Sequence, residues 1–243
     1  QAVQQGRLDA TIKVNASPVA SSQFMVFNWN KASDPFKQSL FRSDKFRRAM
    51  SHLVNRQAVI DIVYGGLGTP MYSSVYPVLT QWINPKVPKY EYDPKQAAKL
   101  LAELGFTKKD REGYLVDSKG RRIEFNLATN AGNTQREQIA KLIVDEAKKV
   151  GVKVNFQAID FNTLVGQLLS SGPDRPFDAI IIGLTGGGLD WPFGSNVVPC
   201  KGNLHMWNKS GQCLDPRETL MEKLYYQGRT ELDFKKRVEI GYR

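Results

Sequence analysis

The sequence has no long apolar run, only two histidines and only two cysteines among its 243 residues. Its longest comparable apolar stretch, residues 179–182, is far shorter than the roughly 18 residues that a membrane span needs. His52 and His205 stand alone, and neither G-x-S-x-G nor H-E-x-x-H occurs. Since no nucleophile, base or ligand set is marked out, we predict a binding protein rather than an enzyme, with no catalytic residue, metal or cofactor.

Charge decides little about partners. The chain carries 34 lysines and arginines against 24 aspartates and glutamates, a net charge of +10. A basic surface can attract nucleic acid, but here the basic residues are scattered in short clusters without an RNA-binding or zinc-finger pattern. We therefore predict no nucleic-acid partner.

The two cysteines, Cys200 and Cys213, lie in a segment rich in glycine, asparagine and serine. With His205 they offer three ligands, fewer than the four of a structural zinc site. Their spacing favours a disulfide that closes a short loop, which implies an oxidising compartment, although two free thiols remain an alternative.

The first half of the chain mixes strands, helices and one long irregular segment. Apolar patterning predicts strands at residues 8–14 and 23–29, the second of them central in a sheet. It also predicts a long helix that starts at Asp44 and ends at Gly65, and a helix from Asp93 to Gly105. Residues 67–90 carry four prolines, and a β-hairpin is expected at residues 114–128.

The second half alternates more regularly. We predict a helix at residues 134–150, a strand at 152–159, a short helix at 161–170 and a buried strand at 177–182. Two amphipathic helices, at about 215–228 and 231–243, follow the cysteine segment. Strand, helix and strand of these lengths indicate a βαβ crossover, hence an α/β fold with a mixed sheet flanked by helices.

A glycine-rich loop follows the last predicted strand, where open α/β sheets bind ligands. Its sequence, GLTGGGLDWPFG at residues 183–194, lacks the lysine of a phosphate loop and does not match the dinucleotide fingerprint. Glycines there allow a ligand to approach the backbone closely, although a plain connecting loop is an equally simple reading. Aromatic residues at strand ends and in loops favour a pocket for a small molecule or peptide.

Two stretches resemble a known family. Residues 41–56, FRSDKFRRAMSHLVNR, followed by YGGLGTP at 64–70, look like a segment characteristic of extracellular solute-binding proteins of family 5, the peptide and nickel class that serves ABC importers. Residues 92–106, YDPKQAAKLLAELGF, resemble the helix that follows in that family. The resemblance covers nearly the whole chain and implies a lobe of the type II periplasmic-binding-protein fold.

The resemblance also implies what the chain is part of. Family members are longer and cross twice between two lobes, so residues 1–243 look like a single C-terminal lobe whose N-terminal partner lobe is missing. The protein would be periplasmic or extracellular, with a lipoprotein anchor possible outside this chain. Its partners would be a small-molecule or peptide ligand and the membrane subunits of an ABC importer.

The function implied is capture of a solute between two lobes that close by a hinge. An oligopeptide or dipeptide is the first expectation. However, only one acid, Asp190, stands where peptide-binding relatives often carry two, so an oligosaccharide or another small solute stays open. A hydrolase and a basic nucleic-acid-binding domain are more distant alternatives. The predicted ligand-binding residues are Trp29, Asn30, Tyr72, Thr185, Gly186, Gly187, Asp190, Trp191 and Trp207.

Overall fold

A computed structural model describes residues 2–12, 20–186, 191, 194 and 196–243 of the chain. Its strands are β1 (Ser21–Phe27), β2 (Lys108–Lys109), β3 (Leu115–Val116), β4 (Glu124–Asn130), β5 (Lys153–Ile159) and β6 (Ala179–Thr185). Its helices are α1 (Pro35–Arg42), α2 (Asp44–His52), α3 (Arg56–Val63), α4 (Pro94–Glu103), α5 (Thr134–Val150), α6 (Phe161–Leu169), α7 (Pro216–Thr230) and α8 (Phe234–Tyr242), with a short 3-10 helix at Thr80–Trp82. None of the described helices is long and apolar enough to cross a bilayer.

One mixed sheet organises the fold, with strand order β1-β6-β4-β5. β4 pairs in parallel with both β5 and β6, whereas β1 runs antiparallel to β6. The expected βαβ crossover, β5–α6–β6, joins two strands that both pair in parallel with β4, which lies between them. The unit β4–α5–β5 is a second crossover of the same kind. The predicted α/β class, with a mixed sheet flanked by helices, is therefore confirmed.

β1 lies at an edge of the described sheet, not in its centre as its continuous apolar sequence predicts. The reason is that both of its faces are covered. Phe27 packs into the core beneath α2, α4 and α5, and Val26 packs into a second core with Leu164 and Leu168 of α6. A continuously apolar strand sequence therefore indicates that both faces of the strand are buried. A strand at the edge of a sheet can also be buried on both faces.

The helix predicted from Asp44 to Gly65 is wrong in its continuity, because it is two helices. Ser43 caps α2, and the Asn55 side chain accepts a hydrogen bond from the Ala58 N–H and so begins α3. Arg56 donates to the carbonyls of Ser51 and Val54, which helps to satisfy the end of α2. The predicted strand at residues 8–14 is also not formed over 8–12, and residues 13 and 14 lie outside the described part.

Local signals set the other helix ends correctly. Asp93 caps α4 with Pro94 in its first turn, and Asn133 caps α5. Gly151 ends α5 with φ 94°, a left-handed conformation that disfavours other residues. A β-carbon at this position would lie 3.1 Å from both the Gly113 carbonyl oxygen and Leu115 Cγ.

We therefore expect Gly151→Ala to lower the free energy of unfolding by about 3 kcal/mol, from backbone strain and overpacking together. Gly120→Ala is the control, since Gly120 has φ 77° but open space around it; its expected cost is about 1 kcal/mol. Urea unfolding measures both. Equal losses would show that crowding at Gly151 contributes nothing.

Candidate functional site

The carboxyl ends of β4, β5 and β6 meet at one edge of the sheet, because these three strands are parallel. Asn130 and Ile159 end β4 and β5, and Thr185 ends β6. The antiparallel β1 adds its first residue there, with Ser21 Oγ 3.2 Å from Thr185 Oγ1. Open α/β sheets bind ligands at this edge, so we call it the carboxyl edge and treat it as the candidate site.

An arginine that forms no ion pair with the described part of the chain lies at the carboxyl edge. Arg136, in the first turn of α5, donates from Nε to Gln23 Oε1 (2.9 Å) and from an Nη atom to Asn130 Oδ1 (2.7 Å). Among the described residues it forms no ion pair, and partial burial lowers its pKa. A half-buried guanidinium fixed by two neutral amides keeps its charge available to an anionic group of a ligand.

Tyr64, at the end of α3, adds a second polar group close enough to Arg136 for their charges to interact. Its hydroxyl is buried and has no hydrogen-bond partner within the described residues. Desolvation by burial raises the pKa of Tyr64, so the hydroxyl stays protonated and can donate. The pair thus places a cation beside a neutral, buried hydroxyl.

Gly183 makes room for the Gln23 side chain. A β-carbon on Gly183 would lie 2.7 Å from Gln23 Nε2 and 2.8 Å from the Ser22 carbonyl oxygen. Because Gly183 has no side chain, Gln23 can lie across β6 while its Oε1 accepts the hydrogen bond from Arg136. Gly183, the first residue of the glycine-rich stretch 183–194, therefore leaves space for a neighbouring side chain.

A cavity of about 1880 Å³ runs along β1, between α3 with its following loop on one side and α7 with residues 196–207 on the other. Five of the predicted binding residues line it: Trp29, Thr185, Gly186, Trp191 and Trp207. Asn30 and Tyr72 are not among its lining residues. Gly187 and Asp190 lie outside the described residues.

The predicted binding residues that line the cavity do not all lie close together. β1 pairs Ser21 with Thr185 at one end and Phe27 with Ala179 at the other. Six residue spacings at about 3.4 Å separate these ends by about 20 Å. Trp29 follows Phe27, so Trp29 and its neighbour Trp207 lie at the end remote from Thr185, Gly186 and Arg136.

Asn30 and Tyr72 are engaged in other contacts. Asn30 is buried, donates to Asn208 Oδ1 and accepts a hydrogen bond from the Lys209 N–H. The centre of the Tyr72 ring lies 4.9 Å from the Arg56 guanidinium and 5.7 Å from Lys89 Nζ. These contacts give both residues packing roles in the structure as it stands.

At the Trp29 end, the buried carboxylate of Glu218 gathers several donors. It accepts hydrogen bonds from Trp207 Nε1 (2.6 Å), His205 Nε2 (3.0 Å) and Asn208 Nδ2, and from the Leu214 N–H at the start of α7. The Trp29 N–H in turn donates to the Trp207 carbonyl. Glu218 therefore fixes both the Trp207 indole and the loop that carries it.

A disulfide closes this loop. Cys200 and Cys213 are joined, with their Cα atoms 5.3 Å apart. The Cys200 N–H donates to Glu222 Oε1, which attaches the loop to α7 as well. The sulfur atoms are therefore engaged with each other, although Glu222 lies near enough to complete a group of three potential ligands.

The described residues form a mixed sheet flanked by helices, and sequence comparison defines the class of the chain. The profile described as bacterial extracellular solute-binding proteins, family 5 Middle, matches residues 1–202. A probable ABC transporter-binding protein of Deinococcus radiodurans is 52% identical over 97% of this chain and 41% of its own length. The chain belongs to solute-binding family 5 and spans about two fifths of that relative.

Solved structures carry the same fold. The oligopeptide-binding protein AppA from Bacillus subtilis, determined in complex with a nonapeptide, matches 93% of this chain and 42% of its own, with TM-score 0.74 and 25% identity. MelB from Agrobacterium fabrum, in complex with stachyose, matches 93% of this chain and 36% of its own, with TM-score 0.74 and 19% identity. Both resemblances agree with the mixed α/β fold described above.

Arg136, Tyr64 and Gln23 are not among the residues predicted from sequence. A signal existed for one of them, because Arg136 follows the strand end at Asn130 by six residues and begins a capped helix. The contact with Gln23 joins residues 113 positions apart, which no local pattern reveals.

Glu218 generates a prediction about pH. Burial alone would raise the pKa of Glu218, but hydrogen bonds from His205, Leu214, Trp207 and Asn208 outweigh burial and lower it. A lowered folded-state pKa means that stability is present above the unfolded-state pKa and is lost as the pH falls through the folded-state value. We expect Glu218→Gln to cost about 2 kcal/mol at pH 7, because its amide N–H groups would face other donors.

The gap in stability between wild type and Glu218→Gln should narrow as the pH falls from the unfolded-state pKa of this carboxylate to its lower folded-state pKa, and close once the folded wild type takes up the proton. Melting temperatures from pH 3 to 7 measure it. Glu239→Gln, on the exposed surface of α8, is the control and should follow the wild type throughout. A gap that stayed constant across this range would contradict the role given to the Glu218 charge.

Proposed function

We propose that the protein captures a solute, an oligopeptide in the first place, for uptake by an ABC importer. The chain would be the C-terminal lobe, and the ligand would lie between its carboxyl edge and a second lobe. A ligand that contacts both lobes binds the closed form more tightly than the open form, and so drives hinge closure. The family, whose members are extracellular solute-binding proteins, supports this proposal.

The observation that carries the peptide assignment is Arg136. Gln23 and Asn130 hold its guanidinium at the carboxyl edge, and the guanidinium has no acidic partner among the described residues. Such a group can bind a carboxylate of the ligand. A peptide offers one at its C-terminus. A neutral sugar offers no such charge.

An oligosaccharide is the second candidate, on a different observation. Trp191 lines the cavity and is only partly buried, so part of its indole is open to a ligand. Aromatic faces pack against the apolar faces of sugar rings as they do against other flat groups. The stachyose complex of MelB, with the same fold, makes this candidate specific.

Location and partners follow from the same proposal. We place the protein outside the cytoplasmic membrane, in the periplasm or held to the membrane by a lipid anchor. There it would meet the membrane subunits of its importer. An oxidising compartment is consistent with the disulfide between Cys200 and Cys213.

The test compares two mixtures of random-sequence synthetic nonapeptides, identical except that one has free C-termini and the other amidated C-termini. We expect the full-length protein to bind the free acids about 10- to 100-fold more tightly, the usual value of one charge-assisted interaction. Arg136→Gln should lose this preference and bind both mixtures weakly. Calorimetry or retention on gel filtration measures binding.

Arg111→Gln is the matched control. Arg111 is exposed and lies in the β2–β3 hairpin near Gly113, which contacts the end of α5 opposite Arg136. It should leave both affinities unchanged. Equal binding of free and amidated peptides by the wild type would contradict the role of Arg136, and saturable binding of stachyose without any peptide binding would favour the sugar candidate.

A further inference from the structure

Two glycines from different helices face the same indole ring. A β-carbon on Gly228, in α7, would lie 1.8 Å from Trp191 Cζ3 and 2.4 Å from Trp191 Cη2. A β-carbon on Gly241, in α8, would lie 3.2 Å from Trp191 Cδ2. Real β-carbons do not approach other atoms as closely as 1.8 Å, so the ring occupies space that exists only because residue 228 has no side chain.

Glycine at these positions is otherwise unfavourable. Inside a helix it lowers stability relative to alanine, because the unfolded backbone loses more freedom on folding. Gly228 is buried inside α7 and Gly241 lies near the end of α8. Gly166 in α6 shows the contrast, since a β-carbon there would meet nothing within 4 Å. The space at Gly228 therefore has a specific occupant.

The space that Gly228 and Gly241 leave for the Trp191 ring is called the seat, and other aromatic residues lie beside it. The Trp82 ring lies 6.4 Å from the Trp191 ring, and Phe234 of α8 lies 5.4 Å from Trp82. Trp191 is thus packed on one side by α7, α8 and Trp82, yet it lines the cavity along β1 and is only partly buried. One part of the indole is fixed, and the rest forms cavity wall.

We propose that Gly228, supported by Gly241, is a positioning residue that seats Trp191 as a fixed wall of the solute cavity. The seated indole would receive an apolar or aromatic side chain of the bound peptide. This inference rests on the proposed function. It adds that α7 and α8 affect binding through the ring that they hold.

The first experiment tests the seat without any ligand. In the full-length protein, Gly228→Ala should lower the melting temperature by roughly 4 °C or more and change the near-ultraviolet circular dichroism of Trp191. Gly241→Ala, with its longer contact of 3.2 Å, should do the same to a smaller degree. Gly166→Ala is the matched control and should leave the spectrum unchanged and stability equal or higher.

A double-mutant cycle tests whether the Trp191 ring is the group that fills the space at Gly228. In a Trp191→Leu background, which lacks the overlapping ring atoms, Gly228→Ala should no longer lower the melting temperature. An equal loss in both backgrounds would overturn the seat, as would a Gly228→Ala protein that behaves like Gly166→Ala. If Gly228→Ala does not fold, the Gly241→Ala cycle with Trp191→Leu decides the question in the same way.

The second experiment tests the effect on the ligand, with the mixture of free-acid nonapeptides as the probe. We expect Gly228→Ala to retain about tenfold less peptide than wild type, and the retained peptides to lose their enrichment in aromatic and large aliphatic residues. Unchanged retention with a changed Trp191 spectrum would overturn the positioning role and leave a packing role only. Retention by neither protein would overturn the proposed function and the positioning role with it, while the cycle still judges the seat.

Discussion

The parallel pairing of β4 with both β5 and β6 is the constraint on which the candidate site depends. It brings three carboxyl ends to one edge and places the start of α5 directly after β4. Arg136 can therefore donate at the same time to Asn130, at the end of the strand that precedes α5, and to Gln23 on β1. If β6 ran the other way, Thr185 and Gly186 would lie at the opposite edge of the sheet.

Elements with strong local signals were predictable, and elements defined by tertiary contacts were not. α5 begins after a capping asparagine and ends at a glycine with φ 94°, and its predicted and observed bounds coincide. The break between α2 and α3 was missed because Leu53 is buried, so the apolar period continues through a turn. The spacing of apolar residues indicates which of them face the core. Whether a helix continues depends instead on which groups form hydrogen bonds with its backbone N–H and carbonyl groups.

The same distinction applies to the candidate site. Thr185 and Gly186 could be found from sequence, since a loop after a buried strand is a local feature. Trp29 and Trp207 were grouped with them through residue type alone, and the register of β1 against β6 places them about 20 Å away. Pairing register is a property of two distant segments, so one segment's composition cannot supply it.

Aromatic residues illustrate how far composition can indicate binding. Trp29 lies under the Arg47 guanidinium and beside Trp207. The Tyr72 ring contacts two cations, Arg56 and Lys89, so both rings are already packed. Only the part of a ring left over after such contacts can receive a ligand. Trp191 keeps such a part because glycines in α7 and α8 accept its other side. A glycine in a distant helix can therefore decide whether an aromatic residue serves the core or the cavity.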